Sequence, residues 1–470
     1  MKFSTALGGL ATVLLAPTVT ALDVDLDSPA SIKAAAKILA KQLLSYYKGD
    51  QPGWVPGILP GPPPDGDYYW WEGGAMWGTL IDYWRYTQDE TYNNMTETAL
   101  LFQTGPPQNS YQPPNWTASL GNDDQGFWGL SAMLAAESNF QNPPDDQPQW
   151  LALAQAVWNT QAAPERHDDV CGGGMRWQIP LTNNGYDYKN AIANGIFFNM
   201  GARLARYTNN DTYAQWAIKT WDWVAGVGLM SSNYDIYDGA HVEKNCTDIA
   251  KAQFTYNAAV YLQGAAFMYN YTNGSTLWKN RVLGLTNRAV KIFFEQGGAV
   301  EISCELETHI QCTTDMLTFK GFLHRWMAAT TQIAPIVHDL IMPALKKSAA
   351  AAMKACDSNG VCGFRWTTGS YDGMTGAGQQ MNALAALSSL LVDQPYVHPP
   401  FANGTGATSK GDPAAGLDKT GVQDGLLAPI TVGDKAGASI LTLLMLSCML
   451  AGYFWLSSNM SEAGKWNSFS

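Results

Sequence analysis

The chain has 470 residues, of which 46% are hydrophobic and only 14% are charged, so it is long and apolar enough to bury a large core. Its net charge of −12 argues against nucleic acid and against anionic membrane surfaces as partners.

The first 21 residues predict a secretory signal peptide. Lys2 supplies the positive charge, and an apolar run extends from Ala6 to Leu15. Small residues just before Leu22 offer a cleavage point, so we expect the mature chain to begin at Leu22.

Between residues 28 and 397 helical patterns dominate, and a weak repeat runs through them. The stretches 81–92, 202–213 and 265–278 each contain the end of an apolar helix, an aromatic residue followed by Thr, a polar turn and the start of another helix. Less similar turns near Asn139, Thr331 and Leu391 extend the spacing of roughly 60 residues, which allows two helices and two loops per unit.

Helix hairpins of this size bury their apolar helices best by stacking on one another. Closed into a ring, they form an (α/α)6 barrel, whereas an open solenoid is the alternative. Because capping repeats are not evident, we predict an all-α fold, an (α/α)6 barrel of six helix hairpins, as one domain over residues 22–397.

Alternate linkers in this register are rich in Gly, Asn, Asp, Tyr and Trp, and in a helical ring they would meet at one end. Ordinary turns explain the Gly, Asn and Asp, but turns do not require Trp and Tyr. A cleft of aromatic rings with amide and carboxylate groups has the composition of a carbohydrate site. The predicted binding residues are Trp70, Trp71, Asn122, Gln125, Trp177, Asp187, Lys189, Asn190, Asn194, Tyr237, Asp238, Tyr256, Asn257, Lys320, Tyr371 and Gln379.

The linker GNDDQGFWGL at residues 121–130 contains the candidate catalytic pair, Asp123 and Asp124. Asn122 or Asp123 can cap the helix that follows, so both carboxylates lie at the positive end of its dipole. Two adjacent carboxylates repel, which favours one ionised and one protonated group, as glycosidic-bond chemistry requires. The alternative is an ordinary solvated double cap.

Two other Asp-Asp pairs are weaker candidates. Asp145 and Asp146 lie between prolines, in a loop with nothing to bury them. Asp168 and Asp169 precede a CGGG sequence, but no helix follows directly. We therefore favour the pair at 123 and 124, which is flanked by aromatic residues and runs into an apolar helix.

The sequence contains no signature of a metal or a cofactor. The six histidines show no ligand spacing, CGGG lacks the Gly-Lys-Ser/Thr of a phosphate loop, and there is no Gly-x-Ser-x-Gly elbow. We predict that neither a metal nor a cofactor is needed.

The cysteines indicate an oxidising compartment. Of seven, Cys448 lies in the apolar C-terminal run, which leaves an even number. Two pairs are close in sequence, and the two remaining cysteines are left to each other. The predicted bridges are Cys171–Cys246, Cys304–Cys312 and Cys356–Cys362.

Sequons and the C-terminal region fit a secreted protein of the cell surface. Residues 398–435, rich in small and polar residues, predict a flexible linker with a GPI-attachment region, followed by a hydrophobic tail at 436–470. Polar residues after the apolar run depart from a GPI signal, so a membrane span is the alternative. The predicted glycosylation sites are Asn94, Asn115, Asn210, Asn245, Asn270, Asn273 and Asn403.

The motifs NDDQGFWGL, WWEGGAMWG, CGGGMRW, NAIANG, TYN and FKGF together resemble glycoside hydrolase family 76, whose members include α-1,6-mannanases. The resemblance covers about residues 25–397. With both terminal signals, the chain looks most like the fungal, cell-wall-associated defective-for-filamentous-growth class. The resemblance implies an (α/α)6 barrel and a retaining mechanism, with Asp123 as nucleophile and Asp124 as acid/base.

The resemblance also implies a function. The fungal class is expected to cut the mannose-containing glycan of GPI-anchored proteins and to transfer it to cell-wall glucan. Hydrolysis of wall mannan by an endo-α-1,6-mannanase is the rival expectation, and a mannan-binding wall protein is the non-enzymatic one. The expected partners are the GPI glycan, wall glucan or mannan, and the membrane through a GPI anchor, with the protein a monomer at the cell surface.

Overall fold

The computed structural model describes residues 21–306, 311–417 and 432–463. The chain divides into two compact units, Met1–Leu417 and Asp418–Ser470. The predicted signal peptide up to residue 20, and the part of the predicted GPI-attachment region between 418 and 431, lie outside the described residues.

Helices make up most of the first unit. In chain order within the described ranges they are α1 (Pro29–Leu44), α2 (Trp70–Thr87), α3 (Asn93–Phe102), α4 (Asn122–Glu137), α5 (Trp150–Gln161), α6 (Ala191–Thr208), α7 (Asp211–Val227), α8 (Thr255–Tyr271), α9 (Thr276–Phe293), α10 (Ile302–Glu305), α11 (Phe319–Ile333), α12 (His338–Lys354) and α13 (Ala377–Ser388).

Six of these helices form the inner wall of a closed ring. α2 packs against α4, α4 against α6, α6 against α8, α8 against α11 and α11 against α13, and α13 returns to α2. The inner helices are buried around most of their surface, because each lies between two neighbours and an outer helix. The predicted (α/α)6 barrel is confirmed, and the open solenoid is wrong.

Each inner helix has an outer partner. α3, α5, α7, α9 and α12 follow α2, α4, α6, α8 and α11 along the chain and pack against them, whereas the partner of α13 is α1. On α1 the buried residues include Ile32, Ala36, Leu39 and Leu43, which form one helical face. The N-terminal helix therefore completes the sixth hairpin.

The sequence repeat marks the ends of inner helices. Tyr86, Tyr207 and Tyr271 lie in the last turns of α2, α6 and α8. Turns at this end of the ring lead into the outer helices. The longer linkers run into the N-termini of the inner helices, where we predicted the cleft.

A small antiparallel sheet interrupts the helical pattern. Its strands are β1 (Tyr188–Asn190), β2 (Gly239–His241) and β3 (Ile249–Ala250), in the order β1-β2-β3. Lys189 lies opposite Ala240, so the linker before α6 pairs with the linker before α8. Helical periodicity carries no information about this pairing.

Residues 398–417 belong to the first unit, so the predicted flexible linker begins too early. The Phe401 N–H donates to the Glu137 carbonyl at 2.7 Å, and the Leu151 N–H donates to Ser409 Oγ at 3.0 Å. Backbone and side-chain hydrogen bonds hold this segment on the barrel although it has few large apolar residues. Composition alone does not distinguish such a segment from a linker.

The three predicted disulfides are confirmed. Cys171–Cys246 joins the linker before α6 to the linker before α8, with Cα atoms 5.7 Å apart. The seven predicted glycosylation asparagines are all exposed, and their occupancy stays a prediction.

The second unit contains helix α14 (Val432–Ala463). Its stretch Lys435–Tyr453 covers 19 residues with a mean hydropathy of 1.7, which is long and apolar enough to cross a membrane. Both the GPI-signal tail and the membrane span are compatible with this helix.

Candidate active site

The two adjacent aspartates of the NDDQ motif lie in the first turn of α4. Gly121 is the N-cap residue, rather than Asn122 or Asp123 as the sequence suggested. Asp124 Oδ2 accepts the Gly121 N–H at 2.7 Å, and Asp123 Oδ1 accepts the Asp124 N–H at 3.0 Å. Both carboxylates are therefore held at the end of the helix that favours negative charge.

Gly121 leaves room for these carboxylates. A Cβ atom at this position would lie 2.4 Å from Asp123 Oδ1 and 3.0 Å from Asp124 Oδ2. The two oxygens therefore converge over the glycine. Its φ of −87° is open to any residue, so it is the space, and not the backbone conformation, that excludes a side chain.

Burial raises the pKa of both carboxyl groups. For Asp124, burial outweighs the Gly121 N–H, the charge of Asp315 adds to it, and the pKa rises to about 7. For Asp123, burial and then the charge of Asp124 raise the pKa well above its usual range. Because the two groups interact, they titrate as a pair, and one of them holds a proton near neutral pH.

A third carboxylate, Asp315, lies close to the pair. Its Oδ1 atom accepts the Trp71 indole N–H at 2.9 Å, and burial raises its pKa. The charge of Asp315 in turn contributes to the raised pKa values of Asp123 and Asp124. Asp315 was not among the residues predicted from the sequence, where its only local signal is its place shortly before the FKGF motif.

Glu72, from the WWEGG motif, was also missed. Its Oε2 atom accepts the Tyr69 N–H at 2.8 Å, and its Oε1 atom accepts the Thr318 hydroxyl at 3.1 Å. Burial, followed by the charge of Asp315, raises the pKa of Glu72 well above its usual range. Glu72 thus connects the start of α2 to the residue before α11.

Aromatic rings surround these acidic groups. Trp71 packs against Phe127 with ring centroids 4.5 Å apart, and Tyr256 stacks on Phe319 at 3.7 Å. Phe127 and Tyr256 have nearly parallel rings at 6.4 Å. The four side chains come from the beginnings of α2, α4, α8 and α11, so closure of the ring brings them together.

Asp238 and the catalytic Asp123 both lie near Tyr256. Burial raises the pKa of Tyr256 well above its usual range, and the charges of Asp238 and Asp123 add to this. Asp238 Oδ2 accepts the Tyr188 hydroxyl at 2.7 Å, and burial raises the pKa of Asp238. Tyr256 is therefore close to Asp123, and Asp238 is close to Tyr256.

Trp177 lies at the rim, next to the start of α4. Its carbonyl accepts the Asn122 N–H at 2.8 Å, and its side chain is 36% exposed. A Cβ atom on Gly185 would lie 2.4 Å from the indole ring, so one edge of the ring packs on the Gly185 backbone. The exposed part remains available to a sugar.

Asn122 supports the pair from behind. Its Nδ2 atom donates to the Arg176 carbonyl at 2.9 Å, and its Oδ1 atom accepts from the Arg166 guanidinium at 2.6 Å. With its polar atoms used inside the fold, Asn122 is a positioning residue rather than the predicted sugar contact.

Six other predicted binding residues are buried and bonded within the fold, which corrects the prediction. Lys189 Nζ contacts Asp168 Oδ1 at 2.7 Å and three backbone carbonyls. Lys320 Nζ contacts Glu305 Oε1 at 2.9 Å, and Asn194 both donates to and accepts from backbone groups. Burial of such groups is tolerated because these bonds are made, and it removes them from a bound sugar. The set is Trp70, Gln125, Lys189, Asn190, Asn194 and Lys320. Asn190 differs from the others, because its Oδ1 atom accepts the Ala193 N–H while its Nδ2 atom makes no hydrogen bond within the described residues and stays available to a sugar.

The remaining predicted residues are not joined to the pair. Asp187 is exposed and bonds His241 Nδ1 at 2.6 Å. Asn257 is fully buried, and within the described residues neither polar atom of its amide has a partner. In the same ranges no hydrogen bond or ion pair connects the catalytic aspartates to Asp187, Tyr237, Asn257, Tyr371 or Gln379.

Comparison with known proteins decides the family. The family model described as Glycosyl hydrolase family 76 matches residues 31–403. The chain belongs to glycosyl hydrolase family 76. The resemblance seen in the motifs is confirmed, and this family 76 protein is an enzyme.

Yeast relatives match almost the whole of this family 76 chain. The mannan endo-1,6-alpha-mannosidase DCW1 of Saccharomyces cerevisiae is 43% identical over 95% of this chain and 98% of its own length. The mannan endo-1,6-alpha-mannosidase DFG5 of the same yeast is 39% identical over 93% and 94%.

Solved structures share the fold. Dfg5 from Chaetomium thermophilum, in complex with glucosamine, is 56% identical with a TM-score of 0.81 and covers 84% of this chain and 97% of its own. The α-1,6-mannanase of a Salegentibacter species is 19% identical with a TM-score of 0.59, over 77% of this chain and 100% of its own. The barrel is therefore common to distant members of family 76.

Proposed function

We propose that this family 76 enzyme is a retaining glycosidase and transglycosylase that cleaves α-mannosidic bonds in the glycan of GPI-anchored proteins and transfers the glycan to cell-wall glucan. The observation that carries the proposal is the convergence of the Asp123 and Asp124 oxygens over Gly121. Retaining glycosidases hold their two carboxyl groups about 5–5.5 Å apart. Adjacent residues whose side chains meet over one glycine fit such a short separation.

In the first step Asp123 is the nucleophile and Asp124 is the acid. A carboxylate oxygen of Asp123 bonds to the anomeric carbon as Asp124 gives its proton to the glycosidic oxygen, which leaves as a hydroxyl group. Burial raises the pKa of both carboxyl groups, so the pair holds one proton near neutral pH. In the proposed step that proton is on Asp124 and Asp123 is ionised.

In the second step an acceptor resolves the glycosyl-enzyme. Asp124, now ionised, takes the proton of the acceptor hydroxyl while the acceptor oxygen displaces Asp123 from the anomeric carbon. Two displacements at one carbon retain its configuration. Water as the acceptor gives hydrolysis, and a sugar hydroxyl gives transfer.

The relatives support an α-mannoside as the donor, since DCW1 and DFG5 of yeast are named mannan endo-1,6-alpha-mannosidases. The Chaetomium Dfg5 structure contains glucosamine, a sugar that adjoins mannose in the GPI glycan, which favours that glycan over wall mannan. Hydrolysis of mannan as an endo-α-1,6-mannanase is the second candidate, favoured by the names of the relatives. Family membership and the intact aspartate pair argue against a binding protein without activity.

The two terminal signals support a location at the cell surface, with a GPI anchor in the plasma membrane. Treatment of cells with phosphatidylinositol-specific phospholipase C should then release the protein. If the protein stays in the membrane fraction, the helix α14 serves as a membrane span instead.

The joined product tests the proposed transfer. The soluble protein is incubated with a GPI-core glycan and a labelled glucan oligosaccharide, and mass spectrometry should detect the two sugars linked together. The Asp123→Asn variant should form no such product. Free mannosides without any joined product would support hydrolysis, and a product of inverted anomeric configuration would contradict the retaining mechanism.

A further inference from the structure

A short antiparallel contact joins the catalytic loop to the linker before α6. Gly121 and Gln178 lie opposite each other in this bridge. On one side of them the Asn122 N–H donates to the Trp177 carbonyl at 2.8 Å, and on the other the Ile179 N–H donates to the Leu120 carbonyl at 3.0 Å. Gly121 and Gln178 are therefore a non-hydrogen-bonded pair. In such pairs the Cα atoms lie about 4.5 Å apart and the side chains project from the same face.

The face that Gln178 shares with Gly121 is the face of the catalytic pair. A Cβ atom on Gly121 would point between Asp123 Oδ1 and Asp124 Oδ2, at 2.4 Å and 3.0 Å. Gln178 lies directly across the bridge and projects to this side. Because Gly121 has no side chain, it places nothing between Gln178 and the two carboxylates.

The Gln178 amide is oriented with its NH₂ group free. Its Oε1 atom accepts the Asn183 amide N–H at 3.0 Å. The residue is only 8% exposed, and in the described ranges Nε2 makes no hydrogen bond. Nε2 is not fully enclosed by protein atoms, so it reaches solvent. A donor that protein groups leave free at the edge of a cleft can exchange its water for an acceptor on a ligand.

The acidic groups near the pair supply few donors, and the Tyr256 hydroxyl, which its raised pKa keeps protonated, is one donor close to Asp123. Carboxylates of Asp123 and Asp315 only accept hydrogen bonds when ionised, and the Trp71 indole N–H is already given to Asp315. A sugar hydroxyl both donates and accepts. It can donate to a carboxylate, but its oxygen needs a donor that these acidic groups do not supply.

We propose that Gln178 is a further substrate-binding residue, whose Nε2 donates a hydrogen bond to a hydroxyl group of the sugar held over Asp123 and Asp124. This inference rests on the proposed role of the aspartates and is independent of the acceptor. Asn183 fixes the amide, so the donor is in place before the sugar binds.

Binding measurements that change the protein and the sugar in turn, made on an inactive enzyme, test this contact. In the inactive Asp123→Asn background, calorimetry measures Kd for α-1,6-mannobiose and for analogues in which one hydroxyl is replaced by hydrogen. Gln178→Ala should raise Kd for the parent sugar about tenfold, as for the loss of one hydrogen bond. For the analogue that lacks the hydroxyl contacted by Gln178, the Asp123→Asn protein and the same protein with Gln178→Ala should have equal Kd values, because neither can form the hydrogen bond.

Asn183→Ala is the matched control, because it frees the amide but keeps the donor, and should raise Kd less than Gln178→Ala. If Gln178→Ala weakened every analogue by the same factor, or left Kd unchanged, the inference would be wrong. The activity of the wild-type protein on the GPI-core glycan is measured separately. A lack of activity would contradict the proposed function, whereas the Kd values would still test whether Gln178 contacts the sugar.

Discussion

Two features of the environment of Asp124 shift its pKa in opposite directions. Its Oδ2 atom caps α4 by accepting the Gly121 N–H, which favours the ionised form. Burial, with the charge of Asp315, favours the protonated form and prevails, which raises the pKa to about 7. A carboxyl group with this pKa can both give and take a proton near neutral pH.

Substitution of each aspartate should separate the roles of the two. Asp123→Asn should form no glycosyl-enzyme and lower kcat by more than about 1,000-fold, since the nucleophile is gone. Asp124→Asn should slow both steps but keep partial activity on aryl α-mannosides, whose leaving groups need no proton. Mass spectrometry of the trapped enzyme and steady-state kinetics measure both effects. Near-normal transfer by Asp123→Asn would refute the assignment.

The raised pKa of Asp124 also predicts a pH-dependent difference in stability. The group titrates at about 3.9 in an unfolded chain and at about 7 in the fold. Its stabilising contribution is therefore present at low pH and is lost as the pH rises through about 7. Asp124→Asn should exceed the wild type in free energy of unfolding at about pH 8, by on the order of 1 kcal/mol or more, and the difference should shrink toward about pH 4. Denaturant titrations at both pH values would contradict this if the difference were constant.

Gly121→Ala should impair catalysis more than folding. The added Cβ displaces Asp123 and Asp124, and a displacement of about 1 Å can lower kcat by roughly 100-fold, whereas φ at residue 121 suits alanine. Gly226→Ala on α7 is the control, because its Cβ would meet nothing within 4 Å. The control should keep full activity and gain up to about 1 kcal/mol. Kinetics and thermal melting compare the two, and an active Gly121→Ala enzyme would show that the carboxylates can sit elsewhere.

At the scale of helices, buried ion pairs hold inner helices to one another. Arg203 on α6 contacts Glu137 on α4 at 2.6 Å, and Arg325 on α11 contacts Asp82 on α2 at 2.6 Å. The second pair crosses the interior, since α11 and α2 are not neighbours in the ring. Such pairs add little net stability over apolar residues, but an unpaired partner is costly.

Arg203→Met should lower the free energy of unfolding by about 3–5 kcal/mol, because Glu137 would stay buried without its partner. The further change Glu137→Leu should recover most of that loss. Lys244→Met is the control, since Lys244 and Asp248 form an exposed pair, and should leave the free energy of unfolding nearly unchanged. Equal effects of the two single substitutions in denaturant unfolding would contradict the prediction.

At the scale of the molecule, segments far apart in the chain complete the ring. α1 supplies the outer partner of α13, and residues 398–417 bond to the C-terminal ends of inner helices and to the outer helix α5. The His398 carbonyl accepts from Arg85 at 2.6 Å, and the Asp412 N–H donates to Gln155 Oε1 at 2.7 Å.

Truncation tests the contribution of residues 398–417. A secreted chain ending at Leu417 should keep the melting temperature of the barrel, whereas one ending at residue 397 should melt several degrees lower, because its buried partners lose hydrogen bonds. Identical melting curves would show that this segment is dispensable, as the sequence had led us to expect.

Much of the architecture could be predicted from the sequence, because helical periodicity is a local property. Tyr86, Tyr207 and Tyr271 lie in the last turns of inner helices, so their recurrence predicted the number of hairpins. The pair at 123 and 124 was also recognisable, since the helix start, the apolar face and the aromatic neighbours are all close in sequence.

Only the tertiary structure decided which polar residues face the cleft. Lys189 lies just before α6 and Lys320 in the first turn of α11, yet each is buried against an acidic residue, 21 and 15 residues earlier in the chain, that folds back onto it. Asp315, apart from its place shortly before the FKGF motif, and Gln178 could not be singled out locally, because their positions depend on contacts between linkers. The physical reason is that helix formation depends on neighbouring residues, whereas burial and charge pairing depend on which distant segments the closed ring brings together.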